Sequence, residues 1–555
     1  MDLKITQPKP NTKQAMIAIE TPMGGMISDY WGYPSNALQG RQNQYTVAGG
    51  TSIFRKEKIG HIAPVEVFNS GSIADTSSYI NSLPRAVAVD VSVSGGNYYF
   101  MLGGLSGIAP RIVYGTPSGG ITTKRDITAG LGNNFTTIGT TGYWGEDIIF
   151  YTGSQSSTQI PMIFYSWKDS GTGHVGMASL SAGTPTFVSD DFLSTTYFTG
   201  IDNPKGGVPI RLCEGPDKIL YFTNGQYIGS YDGQATATYT NGIYNPYALN
   251  LGVGWVAVDI CKYQNYIAIA AVKTGTGYTT NTIKSESRVI LWDGASLDFN
   301  YMYDADDYRI TALSNQDFLY AFTQGRNGTT KVKYLPIAYG VSKLATLYES
   351  STSIISTSPD PRSVDLYNGN LVWGNGSIST RYPINALVFG QNGGVHQPYD
   401  ANNGTNEATS IGLLSNIDSD RLYIGGNFSG TYGIYYLDGS GGYLTSSFFR
   451  SGLMELPYRS TIDKIKVYFS QFTTDSSVIM SLYGSQTSST DLLNYTISSL
   501  THPEAITFKA CTLRMGSIAD ISDFWISMLF NHSTISKNAA IIRRIEIYYS
   551  IVDKP

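Results

Sequence analysis

The chain has 555 residues, of which 14% are charged, compared with about 25% in a typical soluble domain. Glycine (60) and tyrosine (41) are abundant, and the formal net charge is -5. Low charge with many aromatic residues excludes a disordered chain. A slightly acidic net charge argues against a nucleic-acid binder with a general basic surface. We therefore expect a folded chain of more than one domain, poor in helix, with no sequence-specific nucleic-acid partner.

Cysteines and apolar runs limit the class of protein further. Cys213, Cys261 and Cys511 are far apart in sequence, which excludes a disulfide scaffold. No segment approaches the roughly 18 apolar residues that a membrane-spanning helix needs. The first residues, MDLKITQPKPNTKQ, lack the apolar stretch of a signal peptide. The sequence therefore predicts a protein without a membrane span that is made in a cytoplasm and is not exported by the usual route.

The N-terminal part of the chain differs in composition from the rest. Residues 1–60 contain proline, glycine and asparagine without a clear periodicity, and this composition is typical of an extended arm. We predict that 1–60 is an N-terminal arm and that the regular structure begins near residue 61.

One pattern recurs along residues 61–445: a short alternating strand, a polar turn, and a strand that ends in aromatic residues. The last polar turn residues of its seven copies are Asn97, Glu146, Asp217, Asn265, Asp317, Asn370 and Asp420. Five of the six intervals between them are close to fifty residues. The long interval, from Glu146 to Asp217, predicts an insertion around Ser170 to Thr199.

A second marker comes after most of these turns. It is a strand that ends in Asp-Gly or Asn-Gly, as at Asp232-Gly233, Asp293-Gly294 and Asp438-Gly439, and such pairs favour tight hairpins. About fifty residues with three or four strands form one blade of a β-propeller, and a lone blade cannot bury both its faces. A sandwich would not need seven similar hairpins at constant spacing. The prediction is an all-β fold with a propeller of about seven blades, with six or eight as alternatives.

After residue 445 the pattern changes. Three segments alternate cleanly between apolar and polar residues, namely Ile465 to Phe469, Val478 to Leu482 and Ile545 to Tyr549. Residues 446–555 are therefore predicted to form a separate, antiparallel β-sandwich.

Metal-binding and cofactor-binding motifs are scarce. The histidines, with no two at metal-ligand spacing, are His61, His174, His396, His502 and His532. The chain contains no phosphate-binding Gly-x-x-x-x-Gly-Lys-[Ser/Thr] loop and no Gly-x-Ser-x-Gly elbow. We expect no cofactor.

Two acidic clusters offer the oxygen ligands that calcium prefers. One contains Asp304, Asp306 and Asp307, and the other contains Asn416, Asp418 and Asp420. Neither has the glycine and the later glutamate of an EF-hand loop. The second cluster also lies on the turn of the repeat, where Asn and Asp are common for conformational reasons. Asn416, Asp418 and Asp420 are thus a weak calcium candidate, and no resident metal is expected.

Catalytic residues are equally hard to find. A sialidase-like propeller would have Ser-x-Asp-x-Gly-x-Thr-Trp boxes and an arginine cluster, and the segments SYDGQATAT and LWDGASLDF keep only Asp-Gly. A glycosidase needs two carboxylates that face each other across the substrate, and candidates such as Asp190 and Asp191 cannot be placed in one cleft by their spacing. The expectation is a protein that is not an enzyme.

Three segments resemble virion proteins of tailed bacteriophages. The arm carries Gly24-Gly25, Pro34, Asn43, Gly49-Gly50, Arg55-Lys56 and Gly60 in the order found at the start of many such proteins. Arg421 to Gly442 is similar to a propeller repeat of bacterial and phage proteins. The segment from Phe448, FFRSGLMELPYRSTIDKIKVYFSQFTTDSSVIMSLYGS, is similar to a β-sandwich that follows propellers in phage tail proteins.

This resemblance implies a non-enzymatic structural component of the tail, of nozzle, hub, tip or tube-associated ring type. Its partners would be further copies of the same chain and other virion tail proteins, and it would be located in the virion after assembly in the host cytoplasm. Low charge and high tyrosine content fit a permanently assembled protein.

Two alternatives remain open. The first is a phage adhesin whose propeller binds host-surface glycan, and exposed aromatic residues near Tyr143-Trp144 or Tyr301 to Tyr303 would favour it. The second is a glycan-cleaving propeller, which would require a central pocket with facing carboxylates.

Overall fold

In the computed structural model most of the described residues form β-strands, and the described part of the chain contains one short helix, α1 (Glu504–Thr507). The described residues are 14–19, 45–49, 51–55, 58–64, 79–90, 96–104, 109–116, 120–127, 144–153, 161–168, 172–181, 184–205, 208–233, 242–274, 283–316, 318–325, 329–336, 342–349, 359–367, 369–374, 384–388, 394–399, 408–418, 421–428, 430–437, 446–451, 454–484, 493–532 and 540–551. Within these ranges no helix is both long enough and apolar enough to cross a membrane.

Seven antiparallel units of three or four described strands succeed one another along the chain as the blades of a propeller; six are separate sheets, and blade six is one end of a larger sheet that continues into the C-terminal region. Blade one consists of β5 (Pro84–Asp90), β6 (Asn97–Leu102), β7 (Arg111–Thr116) and β8 (Gly120–Asp126). Blade two consists of β9 (Trp144–Tyr151), β10 (Met162–Lys168), β11 (Gly173–Ser181) and β12 (Thr184–Ser189). Blade three consists of β13 (Leu212–Glu214), β14 (Leu220–Asn224), β15 (Tyr227–Asp232) and β16 (Ile243–Asn250). Blade four consists of β17 (Trp255–Tyr263), β18 (Tyr266–Thr274), β19 (Ile283–Trp292) and β20 (Tyr301–Asp304).

The remaining blades have the same strand order. Blade five consists of β21 (Arg309–Asn315), β22 (Leu319–Gln324), β23 (Thr330–Tyr334) and β24 (Ala345–Glu349). Blade six consists of β25 (Val364–Tyr367), β26 (Asn370–Gly374), β27 (Ile384–Val388) and β28 (Gly394–Tyr399). Blade seven has three described strands, β29 (Ala408–Asp418), β30 (Arg421–Phe428) and β31 (Thr431–Leu437).

The first strand of each blade contacts the first strand of the next blade. The contacts run β5 to β9, β9 to β13, β13 to β17, β17 to β21, β21 to β25, β25 to β29, and then from β29 back to β5. The seven first strands therefore surround a common axis and the ring is closed. The predicted propeller of about seven blades is confirmed.

Apolar side chains fill the spaces between blades, and β18 shows why its sequence lacks alternation. Ile267, Ile269 and Ala271 pack in a cluster shared with blade three. Ala268, Ala270 and Val272, from the same strand, pack in a cluster shared with blade five. Because both faces of this strand are covered, both must be apolar. The longest apolar run in the chain is therefore a middle strand of a blade.

One of the seven turn assignments is wrong. Glu146 lies inside β9, the first strand of blade two, and the second strand begins only at Met162. The polar triplet Gly145-Glu146-Asp147 resembles a turn in sequence, but it is the axis-facing part of an inner strand. The prediction of an insertion around Ser170 to Thr199 is also largely wrong, because β11 and β12 of blade two occupy much of that range. The longer connection is the segment 190–211, between blades two and three.

The C-terminal region is a β-sandwich built on two long, bent strands. These are β33 (Met454–Phe472) and β36 (Ala510–His532), which pair with several register shifts. The strands that complete the two sheets are β32 (Ser446–Ser451), β34 (Ser476–Gly484), β35 (Leu493–Ser498) and β37 (Ala540–Ile551). The first half of β36 lies in one sheet with β33 and β37, and its second half lies in the other with β34 and β32. Such bends let one strand serve both layers.

Strands from the N-terminal part of the chain complete this sandwich. They are β1 (Gln14–Ile19), β2 (Tyr45–Gly49), β3 (Thr51–Arg55) and β4 (Lys58–Pro64). β1 pairs with β37, and β4 contacts β37 at Ile62. β2 pairs with β32 on one side and, in parallel, with β28 of blade six on the other. The arm thus links the propeller to the sandwich, and the predicted boundary at residue 60 falls inside β4.

Candidate functional site

A single arginine joins three blades at the propeller axis. Arg362 precedes β25 of blade six, and its guanidinium makes two hydrogen bonds to Asp147 of blade two, with Nη2 to Oδ2 at 2.6 Å and Nε to Oδ1 at 3.1 Å. Its Nη1 donates to Oδ1 of Asp259, in blade four, at 3.2 Å. Nη2 also donates to the carbonyl oxygen of Leu212, in blade three, at 3.1 Å. The Arg362 side chain therefore crosses the axis and occupies it.

Both carboxylates have further partners in the backbone. Asp147 accepts from the N–H of Ile148 (3.0 Å) and from that of Leu212 (2.9 Å). Asp259 accepts from the N–H of Ile260 (2.9 Å) and from that of Leu313 in blade five (2.7 Å). Each aspartate thus bridges its own inner strand to the inner strand of the next blade. Because both residues are 0% exposed, these bonds satisfy charges that water cannot reach.

Blade six repeats the arrangement without an arginine. Asp365 accepts from the N–H of Leu366 (2.7 Å) and from the N–H of Asn416 in blade seven (2.6 Å). In place of a guanidinium, the side-chain amide of Gln316 from blade five donates to it at 3.0 Å. Aspartates in blades two, four and six therefore fasten these blades to blades three, five and seven.

Sequence reasoning missed this set of residues, although a signal exists. Asp147-Ile148, Asp259-Ile260 and Asp365-Leu366 place an aspartate before a branched apolar residue in the first strand of every second blade. The spacing of about two repeats hides the motif when consecutive copies are compared. The basic partner, Arg362, lies outside any strand and has no repeated counterpart.

Burial and neighbouring charges have opposite effects on the pKa values of the residues at the axis. Burial raises the pKa of Asp259, while Arg362 and the backbone N–H groups of Leu313 and Ile260 oppose that rise. Burial alone would lower the pKa of Arg362, but the facing Asp147 and Asp259 raise it above its ordinary value. The guanidinium therefore remains charged at any pH at which the protein is folded.

Further contacts hold the segment that carries Arg362. Asp360 forms an ion pair with Arg85 of blade one at 2.5 Å, and the carbonyl oxygen of Arg362 accepts from the N–H of Leu414 in blade seven at 2.9 Å. Beside Asp147, Glu146 pairs with Lys168 (2.6 Å) and Arg211 (3.3 Å). The axis is thus fixed by polar contacts to most of the ring.

This arrangement limits what the central carboxylates can do chemically. A glycosidase needs one carboxyl group to hold a proton and a second to reach the sugar or a water molecule. At this axis Asp147 and Asp259 face the same guanidinium and are closed off from solvent. The geometry is that of a structural ion-pair cluster.

The weak calcium candidate is only partly within the described residues. The side-chain amide of Asn416 donates to the carbonyl oxygen of Leu366 at 2.8 Å, so this residue joins blades six and seven. The side chain of Asp418 and the whole of Asp420 lie outside the described part of the chain. Among the residues that the structure describes, no group of three His, Cys, Asp or Glu side chains could hold a metal ion.

The other acidic cluster already has cationic partners. Asp307 is buried and pairs with Lys331 (3.1 Å) and Lys333 (2.9 Å). Asp306 pairs with Lys343 at 2.9 Å. Lysine ammonium groups occupy the positions beside these two carboxylates.

Asp190 and Asp191 do not face each other across a cleft. Asp190 accepts from the hydroxyl of Tyr165 (2.6 Å) and from Arg125 (3.0 Å). Asp191 lies 3.0 Å from Nδ1 of His174, whose ring stacks on Trp167. Both aspartates thus fix the end of blade two.

The remaining histidines are dispersed. His61 lies in β4, His396 in β28 and His532 at the end of β36. His502 contacts Glu504 through Nδ1 at 2.8 Å, and this contact lowers the pKa of the Glu504 carboxyl group. The side chains of His61, His396 and His532 lie outside the described part of the structure, and the two described side chains, His174 and His502, lie in blade two and in the sandwich.

One predicted aromatic surface is present. Tyr301 is half-exposed on the outer strand of blade four, and its ring meets Tyr266 edge-on with 5.7 Å between ring centroids. The hydrogen bond between these two tyrosines raises the pKa of Tyr266. The other predicted surface lies outside the described residues, which include neither Tyr143 nor the side chain of Trp144.

Comparison with known proteins assigns the chain to no family. No family model matches the chain, and no curated protein sequence is significantly similar to it. Among solved structures, the Dos1 propeller is 12% identical with a TM-score of 0.40, and the match covers 68% of this chain and 98% of that one.

Two similar structures are glycoside hydrolases. The exo-β-1,3-galactanase from Phanerochaete chrysosporium is 10% identical with a TM-score of 0.27, over 61% of this chain and 95% of that one. A family 43 arabinoxylan arabinofuranohydrolase from Bacillus subtilis is 10% identical with a TM-score of 0.28, over 87% of this chain and 100% of that one. At such identities and TM-scores, these likenesses carry no argument about activity.

Proposed function

We propose that the chain is a non-enzymatic structural component of a tailed-phage virion, located in the tail as a nozzle, hub, tip or tube-associated ring. The observation that carries the proposal is the closed axis. Asp147 and Asp259, the acidic pair at the centre, bind Arg362 and backbone N–H groups and are inaccessible to substrate. Such a centre makes the propeller a rigid plate and leaves no acid–base pair there.

Three further observations support a role in assembly. The arm resembles the start of tailed-phage virion proteins, the segment Arg421 to Gly442 resembles a propeller repeat of bacterial and phage proteins, and the C-terminal segment resembles a β-sandwich of phage tail proteins. The arm strand β2 pairs with β32 of the sandwich and with β28 of blade six, so force on one domain is transmitted to the other. The low charge and the high tyrosine content match surfaces that are covered by neighbouring subunits.

Mass and symmetry measurements test this proposal. We expect the purified full chain to form a closed ring of identical copies, measured by light scattering and by class averages in electron microscopy. We also expect antibodies against the chain to label the tail of the native particle. A chain that stays monomeric at high concentration and is absent from particles would contradict the proposal.

The half-exposed Tyr301 favours a second candidate function, binding of host-surface glycan. Tyrosine faces stack on sugar rings and their hydroxyls form hydrogen bonds. If this surface binds glycan, Tyr301→Ala should abolish retention of the protein on immobilised host lipopolysaccharide or capsular polysaccharide. Tyr247→Ala, at an exposed tyrosine of blade three, is the matched control. Equal retention of the wild type and both variants, or no retention at all, would remove this candidate.

A further inference from the structure

Large exposed apolar side chains are concentrated in one sector of the propeller. Seven of them are on blades three to five or in the turn between blades three and four, namely Ile243, Tyr247, Val253, Leu297, Tyr301, Met302 and Phe318. Over the described parts of blades one, two, six and seven there is none of this size. A concentration of exposed apolar side chains on one side of a protein favours an interaction site there.

Leu297 is the most exposed residue of this sector, and the turn that carries it is well ordered by hydrogen bonds. The carboxylate of Asp293 accepts from the N–H groups of Ala295 (2.9 Å) and Ser296 (2.8 Å) and from the side-chain amide of Asn300 (3.0 Å). The N–H of Asn300 donates to the carbonyl oxygen of Leu291 at 2.9 Å. Leu297 is therefore presented to solvent on a fixed turn, which reduces the entropy cost of binding.

The sandwich presents a second apolar tip. Leu500 and Phe508 are 93% and 78% exposed, on either side of α1. The backbone here is also fixed, since the N–H of Phe508 donates to the carbonyl oxygen of Glu504 at 2.8 Å and the N–H of Thr501 donates to the hydroxyl of Ser498 at 3.2 Å. Like Leu297, Leu500 and Phe508 are therefore large apolar residues that are exposed on backbone held in place by hydrogen bonds.

Opposite charges stand beside the two tips. Asp298 is the residue after Leu297, and Lys509 is the residue after Phe508, and both charged residues are exposed. The two tips lie on different parts of the chain, one in blade four and one in the sandwich that adjoins blade six. Complementary tips on different parts of one chain make a heterologous contact between copies, and such a contact generates a ring when the rotation between copies closes.

We propose that the Leu297–Asp298 tip of one copy docks against the Leu500, Phe508 and Lys509 tip of a second copy. The two apolar tips exclude water from each other, and the Asp298–Lys509 ion pair selects the orientation. This inference rests on the proposed function, because it names the contact through which the ring assembles.

Charge exchange between the tips tests the contact in the full chain. Asp298→Lys and Lys509→Asp should each raise the concentration needed for assembly about tenfold or more, and the double variant should recover assembly. Lys509 has a φ of +52°, a conformation in which aspartate is well tolerated. Glu286→Lys, at an exposed acidic residue toward the other end of β19, is the matched control and should assemble as the wild type does.

Mass photometry and sedimentation over a concentration series give the readout, and circular dichroism shows that each variant is folded. Recovery in the double variant supports the contact. A ring that forms equally well in the wild type and both single variants would overturn the contact and leave the proposed function standing. A wild-type chain that is monomeric and absent from particles would overturn both.

Discussion

At the propeller axis, one guanidinium and two buried carboxylates join blades that are not all neighbours in the ring. In the sandwich, by contrast, apolar side chains such as Ile547 and Phe530 fill the space between two sheets. The axis depends on a few directional hydrogen bonds and ion pairs between specific atoms. The sandwich depends on many contacts without direction, each of which contributes in proportion to the area it buries.

This difference predicts how the stability of each region should respond to substitutions. Removing one member of a buried ion pair strongly lowers the free energy of unfolding, because the remaining charge is buried without a partner and without water. An apolar core loses stability in steps that scale with the volume removed. Substitutions at the axis should therefore cause a large loss of stability whenever one charge is removed, whereas substitutions in the sandwich core should cause losses that increase with the volume removed.

Replacement of Arg362 should have the largest effect. Arg362→Met leaves Asp147 and Asp259 as buried, unpaired carboxylates, so we expect a loss of about 3–5 kcal/mol in the free energy of unfolding. Arg362→Lys should cost nearly as much, since an ammonium cannot make the paired hydrogen bonds to Asp147. Denaturant unfolding followed by tryptophan fluorescence measures both.

A compensated variant serves as the control for this change. Adding Asp147→Asn and Asp259→Asn to Arg362→Met removes the buried charges and should recover much of the lost stability. A loss below about 1 kcal/mol for Arg362→Met alone would show that the axis is not held by these charges.

Truncation in the sandwich core should give the graded response. Ile547 is 0% exposed, so Ile547→Ala should cost about 2–5 kcal/mol and Ile547→Val about 0.5–1.5 kcal/mol. Unfolding curves of the two variants give the comparison. If Val costs as much as Ala, the sandwich too would depend on one specific contact.

Asp365 allows the contribution of charge to be separated from that of hydrogen bonding. It bridges blades six and seven as Asp259 bridges blades four and five, but its side-chain partner is the neutral Gln316. Asp365→Ala should lower the free energy of unfolding by about 1–3 kcal/mol, because it leaves buried N–H groups without an acceptor. It leaves no buried cation without its partner, since Gln316 is neutral. The same unfolding assay applies. A cost equal to that of Arg362→Met would show that backbone bonds, not charges, dominate the axis.

Much of the fold is encoded locally and could be predicted. Hairpin residues such as Asp217 and Asn265 mark the turn after the first strand because polar residues and glycine satisfy turn geometry without distant partners. Glu146 misled the prediction, because a polar residue on an inner strand has the same composition as one in a turn. The difference lies in its partners Lys168 and Arg211, which approach only in the folded ring.

The axis site could not be predicted for a similar reason. Arg362 is separated from Asp147 by more than two hundred residues, and no local pattern indicates which acid it binds. The pairing of β1 and β2 with the sandwich is likewise long-range. It could not be predicted because an edge strand pairs through its backbone and therefore accepts many sequences. These features depend on closure of the ring and on contact between the two ends of the chain.

The smallest predicted effect concerns Asp293, which orders the turn that carries Leu297. Hydrogen bonds from Ser296, Ala295 and Asn300 hold the pKa of Asp293 below its ordinary value. Its contribution is therefore fully present above the usual aspartate pKa of about 3.9 and is lost as the pH falls toward the lowered value. Because the turn is solvated, Asp293→Ala should cost about 1 kcal/mol or less at pH 7.

The difference in unfolding free energy between the wild type and Asp293→Ala, measured from pH 7 to pH 2.5, should stay constant down to about pH 5 and then shrink. Asp293→Asn, which keeps one acceptor oxygen, should lie between them. A difference that grows as the pH falls would contradict the assignment. If the turn must be ordered to present Leu297, Asp293→Ala should also weaken assembly more than its small cost in stability explains, because a mobile tip loses entropy on docking.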